Sequence, residues 1–409
     1  MKGKIFGFVV VLAVVFAWFN DGICLEKGKT DRDSFYKELN IFAEGLALIE
    51  KKYVEDKLPK DLIYGAMDGL LASLDSYSQF LDPDEYKELI VETEGKFGGL
   101  GIEITMKDNL LTIVSPIEDT PAWHAGAQAG DIIVKIDGEL TKGITLSEAV
   151  KKLRGEPGSK VVITVLRDKT RKLEDITIVR GIIRIKDIKR ALILEGNIGY
   201  LRIAEFRENT ARDMDKELLS LKKTGLEGLI IDVRNNPGGL LYSAIEIASR
   251  FVEDGKIIVS TKSRSEKEMV YTSVPAKEKY LDLPLVVLIN KGSASGSEIL
   301  AAALRENGKA ILLGETTFGK GSVQTVIPLS DGAALRLTTS KYYTPKGESI
   351  HEKGIEADVT VVPQEDVTGK REDVFKGLER KEDFDYRKDY QIIRALDLIK
   401  GLLVLSESN

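Results

Sequence analysis

The spacing of apolar positions changes several times along the chain. After a basic start, Met1-Lys2-Gly3-Lys4, the residues from Ile5 to Phe19 are an almost unbroken apolar run. From residue 31 onward Phe42, Leu46, Ile49 and Tyr53 recur at helical spacing, with a break at Leu58-Pro59, and predict a helical region over 31–96. Between Phe97 and about Arg180 short alternating segments separated by glycine turns predict a mainly β module over 97–181. After Ile182 strands and helices alternate: Ile198 to Ile203, Ala211 to Leu221, Gly228 to Val233, Leu240 to Phe251 and Ile257 to Val259. That order implies an α/β layer with crossover connections over 182–363. A charged stretch from Pro363 to Lys388 and an amphipathic helix from Tyr390 to Leu405 complete the chain as a C-terminal region over 364–409.

Within the α/β region Leu285 to Ile289 is a continuous apolar run of strand length, followed by a tight turn with Ser293, Ser295 and Ser297 and then the helix formers Glu298 to Leu304. Strand, tight turn and helix together expose a side chain at a helix N-terminus, the geometry a nucleophile needs. Small residues before a helix also serve simply as an N-cap. A nucleophilic serine requires a base, and the chain has two histidines. His124 lies in the β module, which leaves His351 for a Ser-His arrangement. The other common activator is a lysine kept neutral by burial and cationic neighbours, and Lys320 in Phe318-Gly319-Lys320-Gly321 is that candidate. Gly314 to Lys320 also matches a phosphate-binding loop as far as the lysine. Gly321 stands where that loop needs a magnesium-binding Ser or Thr, and Ser322 to Ile327 reads as a strand, so the nucleotide reading fails.

These residues resemble the active-site core of the carboxyl-terminal processing peptidases, or tail-specific proteases, whose motif runs S-A-S-A-S-E, a short helix, then F-G-K-G-x-V-Q. The resemblance implies an α/β fold, a crotonase/ClpP-like protease core with an inserted, mainly β PDZ domain and helical N- and C-terminal regions. It makes Ser295 the nucleophile, Lys320 the general base and Gln324 the residue that positions the lysine. Gly296 replaces the family's usual alanine. The turn Arg234-Asn235-Asn236-Pro237-Gly238-Gly239 resembles the family's oxyanion turn, which carries one donor over to Gly238 or Gly239 and the other to Gly296. Gly99-Leu100-Gly101-Ile102 resembles the carboxylate loop of PDZ domains, and Arg154 is a candidate for reading a substrate carboxylate or an interdomain contact. Tyr64 to Ser78 resembles the family's N-terminal helices, which take part in dimer contacts.

Composition narrows the partners. At 409 residues and 43% hydrophobic content the chain can build several cores. A net charge of −6, from 59 basic and 65 acidic residues, gives no reason to expect nucleic acid as a partner. The lone cysteine, Cys24, excludes an intrachain disulfide. Residues 1–24 read as a secretory signal or anchor, with export to the periplasm or the outer face of a membrane as the expectation; cleavage, lipidation at Cys24 and membrane retention all stay open. The expected partners are protein or peptide substrates with accessible C-termini, a second copy of the chain and an activating adaptor. No metal or cofactor is expected. The competing reading is a non-catalytic peptide-binding scaffold or ligand-binding protein on the same fold.

Overall fold

The structure is a computed structural model that describes residues 29–167, 170–264, 267–362 and 384–407. The signal or anchor segment and most of the charged stretch after Pro363 therefore lie outside the described residues. The chain divides into two units, Met1–Leu74 and Asp75–Asn409. In the first, α1 (Lys29–Lys52) and α2 (Pro59–Ala72) are separated at Leu58, where Pro59 opens α2 with the one residue whose missing N–H costs nothing there. Among the described residues no helix is long and apolar enough to cross a membrane.

The second unit begins with β1 (Gln79–Leu81) and α3 (Pro83–Glu94). The helical expectation for 31–96 meets helices α1, α2 and α3, with the short strand β1 between the last two. Asp75 accepts from the N–H groups of Tyr77 and Ser78 at 2.7 and 2.8 Å, an Asx turn that ends helical geometry and launches a strand. The chain then enters β2 (Lys96–Gly99) and builds β3 (Ile102–Lys107), β4 (Leu110–Pro116), a helical turn at Pro121–His124, β5 (Ile132–Ile136) and β6 (Glu139–Leu140). Helix α4 (Leu146–Leu153), β7 (Lys160–Leu166) and β8 (Leu173–Val179) complete this module, and β9 (Gly181–Arg184) leaves it. Its sheet runs β3-β4-β5-β7-β8 around a core of Leu111, Ile113, Ile133, Ala149, Ile163 and Ile178. Entry and exit strands pair antiparallel, Lys96 opposite Arg184 and Gly99 opposite Gly181, so the module hangs from a two-stranded ribbon.

The remaining elements are β10 (Ile188–Ile193), β11 (Ile198–Ile203), α5 (Thr210–Lys223), β12 (Gly228–Asp232), α6 (Leu241–Ser249), β13 (Ile257–Ser263) and β14 (Met269–Thr272). They continue as β15 (Leu285–Ile289), α7 (Gly296–Glu306), β16 (Ala310–Gly314), β17 (Ser322–Pro328), β18 (Ala334–Tyr343), β19 (Val359–Thr360) and α8 (Tyr390–Glu407). One sheet runs β10-β11-β12-β15-β16-β19, parallel except at β10. Its strands are covered on both faces, which is why β12 and β15 read as continuous apolar runs. Leu229, Ile231 and Val287 face α5, α6 and α7, while Ile230, Val286 and Leu288 face Ile392, Ala395, Leu396 and Ile399 of α8. A second, antiparallel sheet runs β1-β18-β13-β14, with β17 also paired to β18.

Candidate active site

Neighbouring parallel strands bring the two halves of the site together. Asp232 at the end of β12 lies opposite Leu288 at the end of β15, so the turns that follow share one carboxyl edge of the sheet, where α/β sheets place their ligands. Arg234, first residue of the oxyanion motif, is turned inward: its guanidinium bonds Asp232 and Asp389, fixing the start of α8 under the turn.

Of the three serines, two are consumed by structure. Ser293 Oγ donates to the Val233 carbonyl at 2.8 Å and accepts from Asn290 N; Ser297 Oγ donates to the Asn236 carbonyl at 2.9 Å. Both are fully buried and stitch the serine turn to the motif at 233–239. Ser295 stands between them, half-buried, at φ 50° and ψ −110°. A side chain in that region is strained, by about 1–3 kcal/mol, and the strain is held by the surrounding bonds in the manner of a nucleophile turn.

Gly238 and Gly239 separate in role. The Gly238 N–H donates to Asn236 Oδ1 at 2.8 Å, so it is not free to meet a reacting oxygen. Its missing side chain matters instead, because a Cβ there would lie 2.8 Å from Gly296 N and from Ser295 Cβ. Among the described residues nothing accepts from the N–H groups of Gly239 and Gly296, the pair left to form an oxyanion hole. A Cβ on Gly296 would stand 3.2 Å from the Phe206 ring, tight but able to yield, so the departure from alanine does not alter the turn's logic.

The lysine arrives on the loop between β16 and β17, and one carboxylate holds that loop to the serine turn. Glu298, wholly buried, accepts from Ser295 N at 2.8 Å and Lys320 N at 2.9 Å through Oε2, and from Gly319 N at 2.7 Å and Thr317 Oγ1 at 2.6 Å through Oε1. Burial pushes its pKa up, but all four partners donate, which the ionised carboxylate satisfies and a protonated one does not. Burial also pushes the Lys320 ammonium below its ordinary pKa, Arg336 pushes the same way, and Glu298 opposes both. The Lys320 Nζ lies 5.1 Å from the centre of the Tyr77 ring, and among the described residues it makes no hydrogen bond with Ser295 Oγ. Gln324 does not hold it either. Its amide donates to Ser322 Oγ at 2.9 Å and Thr338 Oγ1 at 3.4 Å, so the positioning contact implied by resemblance is absent in this state.

Neither histidine bonds Ser295 among the described residues. His124 pairs with Asp119 on the module's surface, and the His351 backbone walls the lysine loop, where a Cβ on Gly321 would meet its N at 2.2 Å. In the β module, the carbonyls of Leu100 and Gly101 accept from Ala122 N and Ile117 N, while the N–H groups of Leu100 and Gly101 have no backbone acceptor among the described residues. Gly99 belongs to the ribbon and Ile102 opens β3, an outer strand of its sheet. Arg154 stacks over Phe97 with 4.7 Å between guanidinium carbon and ring centre, an internal contact between α4's end and the ribbon.

Sequence reasoning missed Glu298, Tyr77, Phe206 and Arg336. Glu298 enters the sequence reading as a helix former and as the last letter of the serine motif, with no role assigned, although an acid three residues after a candidate N-cap is a capping-box signal. Tyr77 was read as helical, although Asp75-x-x-Ser78 has the makings of an Asx turn.

Comparison with known proteins places the chain in a family. Residues 197–361 match Peptidase family S41 and residues 112–167 match the PDZ domain. The chain is 44% identical over 330 residues to a carboxy-terminal-processing protease of Bartonella bacilliformis, covering 80% of this chain and 75% of that protein. It is 36% identical over 363 residues to carboxy-terminal processing protease CtpA of Bacillus subtilis, covering 87% and 76%. Among solved structures, a photosystem II D1 C-terminal processing protease shares 30% identity over 79% of this chain and 92% of its own, at a TM-score of 0.46. With a serine turn, a lysine loop and a PDZ module in one chain, and relatives of this identity matched over three quarters of their length, the protein belongs to the carboxy-terminal processing serine proteases of peptidase family S41.

Proposed function

We propose that Ser295 is the nucleophile of this serine protease, Lys320 its base, and the N–H groups of Gly239 and Gly296 its oxyanion donors. Neutral Lys320 takes the Ser295 proton as Oγ bonds to the scissile carbonyl carbon, and returns it to the amine when the peptide C–N bond breaks. Water then attacks the acyl ester, giving its proton to the lysine, which passes it to Ser295 Oγ as the ester C–O bond breaks and the new carboxylate leaves. The observation that carries this reading is the single oxygen of Glu298 that accepts from both Ser295 N and Lys320 N, which holds nucleophile and base loops side by side. A rotation of the lysine side chain from the Tyr77 ring toward Ser295 completes the dyad.

The free N–H groups of Leu100 and Gly101 support capture of a terminal carboxylate, and the outer edge of β3 supports addition of the substrate's last residues as a strand. The basic start and the apolar run from Ile5 to Phe19 support action outside the cytoplasm. Self-association is supported by Phe35, Leu39, Phe42 and Ile49 of α1, apolar and exposed.

Incubation of purified protein with an unfolded substrate tests the chemistry. Ser295→Ala and Lys320→Ala should both be inactive with their folds intact, and a chelator should leave the parent's rate unchanged. Equal turnover by Ser295→Ala would move the nucleophile elsewhere; inhibition by a chelator and recovery with zinc would remove the lysine from its role.

A further inference from the structure

The ribbon that carries the PDZ module ends on one arginine. Arg207 Nε donates to the Glu92 carbonyl at 2.8 Å, in the last turn of α3 before the ribbon, and its two terminal nitrogens bond the carboxylates of Asp187, just after the ribbon, and Glu205. Thr210 Oγ1 donates to Asp187 as well, and Ile185 N donates to Gly95 O, closing the ribbon's base. Gly95 has φ 67°, and a Cβ there would meet Arg207 Cδ at 2.8 Å, so the arginine fills the space a larger residue would take. Entry and exit of the module are therefore tied to the same side chain.

The preceding residue touches both halves of the oxyanion hole. Phe206, fully buried, donates its N–H to Gly238 O at 2.8 Å and accepts from Leu240 N at 2.6 Å, which clamps the Gly238–Leu240 backbone from both sides. A Cβ on Gly239 would lie 2.1 Å from Phe206 O, and one on Gly296 would lie 3.2 Å from its ring. Phe206 thus clamps the backbone that carries the Gly239 N–H and sets its ring beside Gly296.

We propose that Arg207 is a positioning residue for the oxyanion hole, which it reaches through Phe206, and that the seat of the PDZ ribbon on Arg207 sets the hole's geometry. This rests on the assignment of Ser295, Gly239 and Gly296 given above. A displacement of the ribbon that breaks the bonds to Glu92 or Asp187 frees Arg207, lets Phe206 shift, and misaligns the two donors. A misplacement of about 1 Å in a catalytic group costs on the order of a hundredfold in rate, so small movements suffice.

The test uses the full chain, a short ester substrate that reaches the site without the PDZ groove, and a peptide boronate whose serine adduct fills the oxyanion hole. Arg250→Ala is the matched control, because Arg250 has the same 11% side-chain exposure and a bidentate pair with Asp215 but no contact with the turn. For Arg207→Ala, kcat on the ester should fall about tenfold or more with KM within about threefold, and boronate affinity should fall in parallel. Arg250→Ala should lower the melting temperature and keep kcat and boronate affinity. If Arg207→Ala does not fold, Asp187→Asn, which keeps the shape and removes the charge, is read by the same criteria. A folded variant that keeps kcat and boronate affinity, or loses no more than Arg250→Ala, overturns the proposal. Failure of the underlying assignment would look different: the parent itself would not bind the boronate at Ser295.

Discussion

Lys320 is half-buried, its desolvation and the cation Arg336 both lower its pKa, and with Lys320 as the proposed base this predicts the pH dependence of the site. In the proposed mechanism the free amine is the reactive form, so kcat/KM should rise with pH through a midpoint below that of an ordinary lysine. Rates measured on the short ester check this, and a fall across the neutral to mildly alkaline range with the fold intact would contradict it. Stability follows the same sign. The unfolded lysine keeps its proton to higher pH than the folded one, so between the two pKa values the unfolded state binds more protons and the parent gains stability as pH rises. Lys320→Met should lack that gain, and denaturant melts of both proteins across this window read the difference. Glu298 offers a second test. Glu298→Gln replaces a group that accepts at both oxygens by one that donates from one end, leaving the Ser295 and Lys320 N–H groups, or the Thr317 and Gly319 donors, facing an amide. Unmaking such buried bonds costs about 1–3 kcal/mol, and hydrolysis should fall with it.

At the scale of elements, the local patterns were legible and the tertiary choices were not. A serine turn after a buried strand, a lysine between glycines and a C-terminal amphipathic helix are patterns within short windows, and each appears in the structure at its expected place, α8 at Tyr390–Glu407 against an expectation of Tyr390 to Leu405. The Gly238 N–H is taken by Asn236 two residues before it, a local turn that a short window does contain. Which serine is spare, by contrast, is decided by bonds from Ser293 and Ser297 to carbonyls on another turn, information that no window of sequence contains. The same holds for Tyr77, which reaches Lys320 because β1 pairs with β18 from a distant part of the chain. Two predictions belong here. Gly239→Ala, at φ 137° with its Cβ 2.1 Å from Phe206 O, should displace the oxyanion turn and reduce kcat by about a hundredfold or more while the bulk fold survives. Ile399→Ala should leave catalysis alone in the folded fraction and cost about 2–5 kcal/mol in denaturant unfolding, because Ile399 is fully buried on the sheet face opposite the site's helices.

For the whole molecule, the proposed recognition loop and the proposed dyad sit in two modules joined by one ribbon, and recognition is tested most cleanly from the substrate's side. Substitution at Gly101 is a poor probe of recognition: at φ 78°, with its Cβ 2.3 Å from Thr120, any side chain rebuilds the loop before a substrate meets it. Changing the substrate's tail leaves the enzyme untouched. The most direct measurement is therefore kcat/KM on an unfolded protein with a free carboxyl terminus and on the same protein with an amidated terminus, using the parent and Ser295→Ala. The account predicts that the parent cleaves both, the free tail at least about tenfold faster from the lost charge-assisted bonds to the loop, and that Ser295→Ala cleaves neither. Cleavage by Ser295→Ala at the parent's rate would contradict the account at its centre, and equal rates on the two tails would contradict its reading of the PDZ loop.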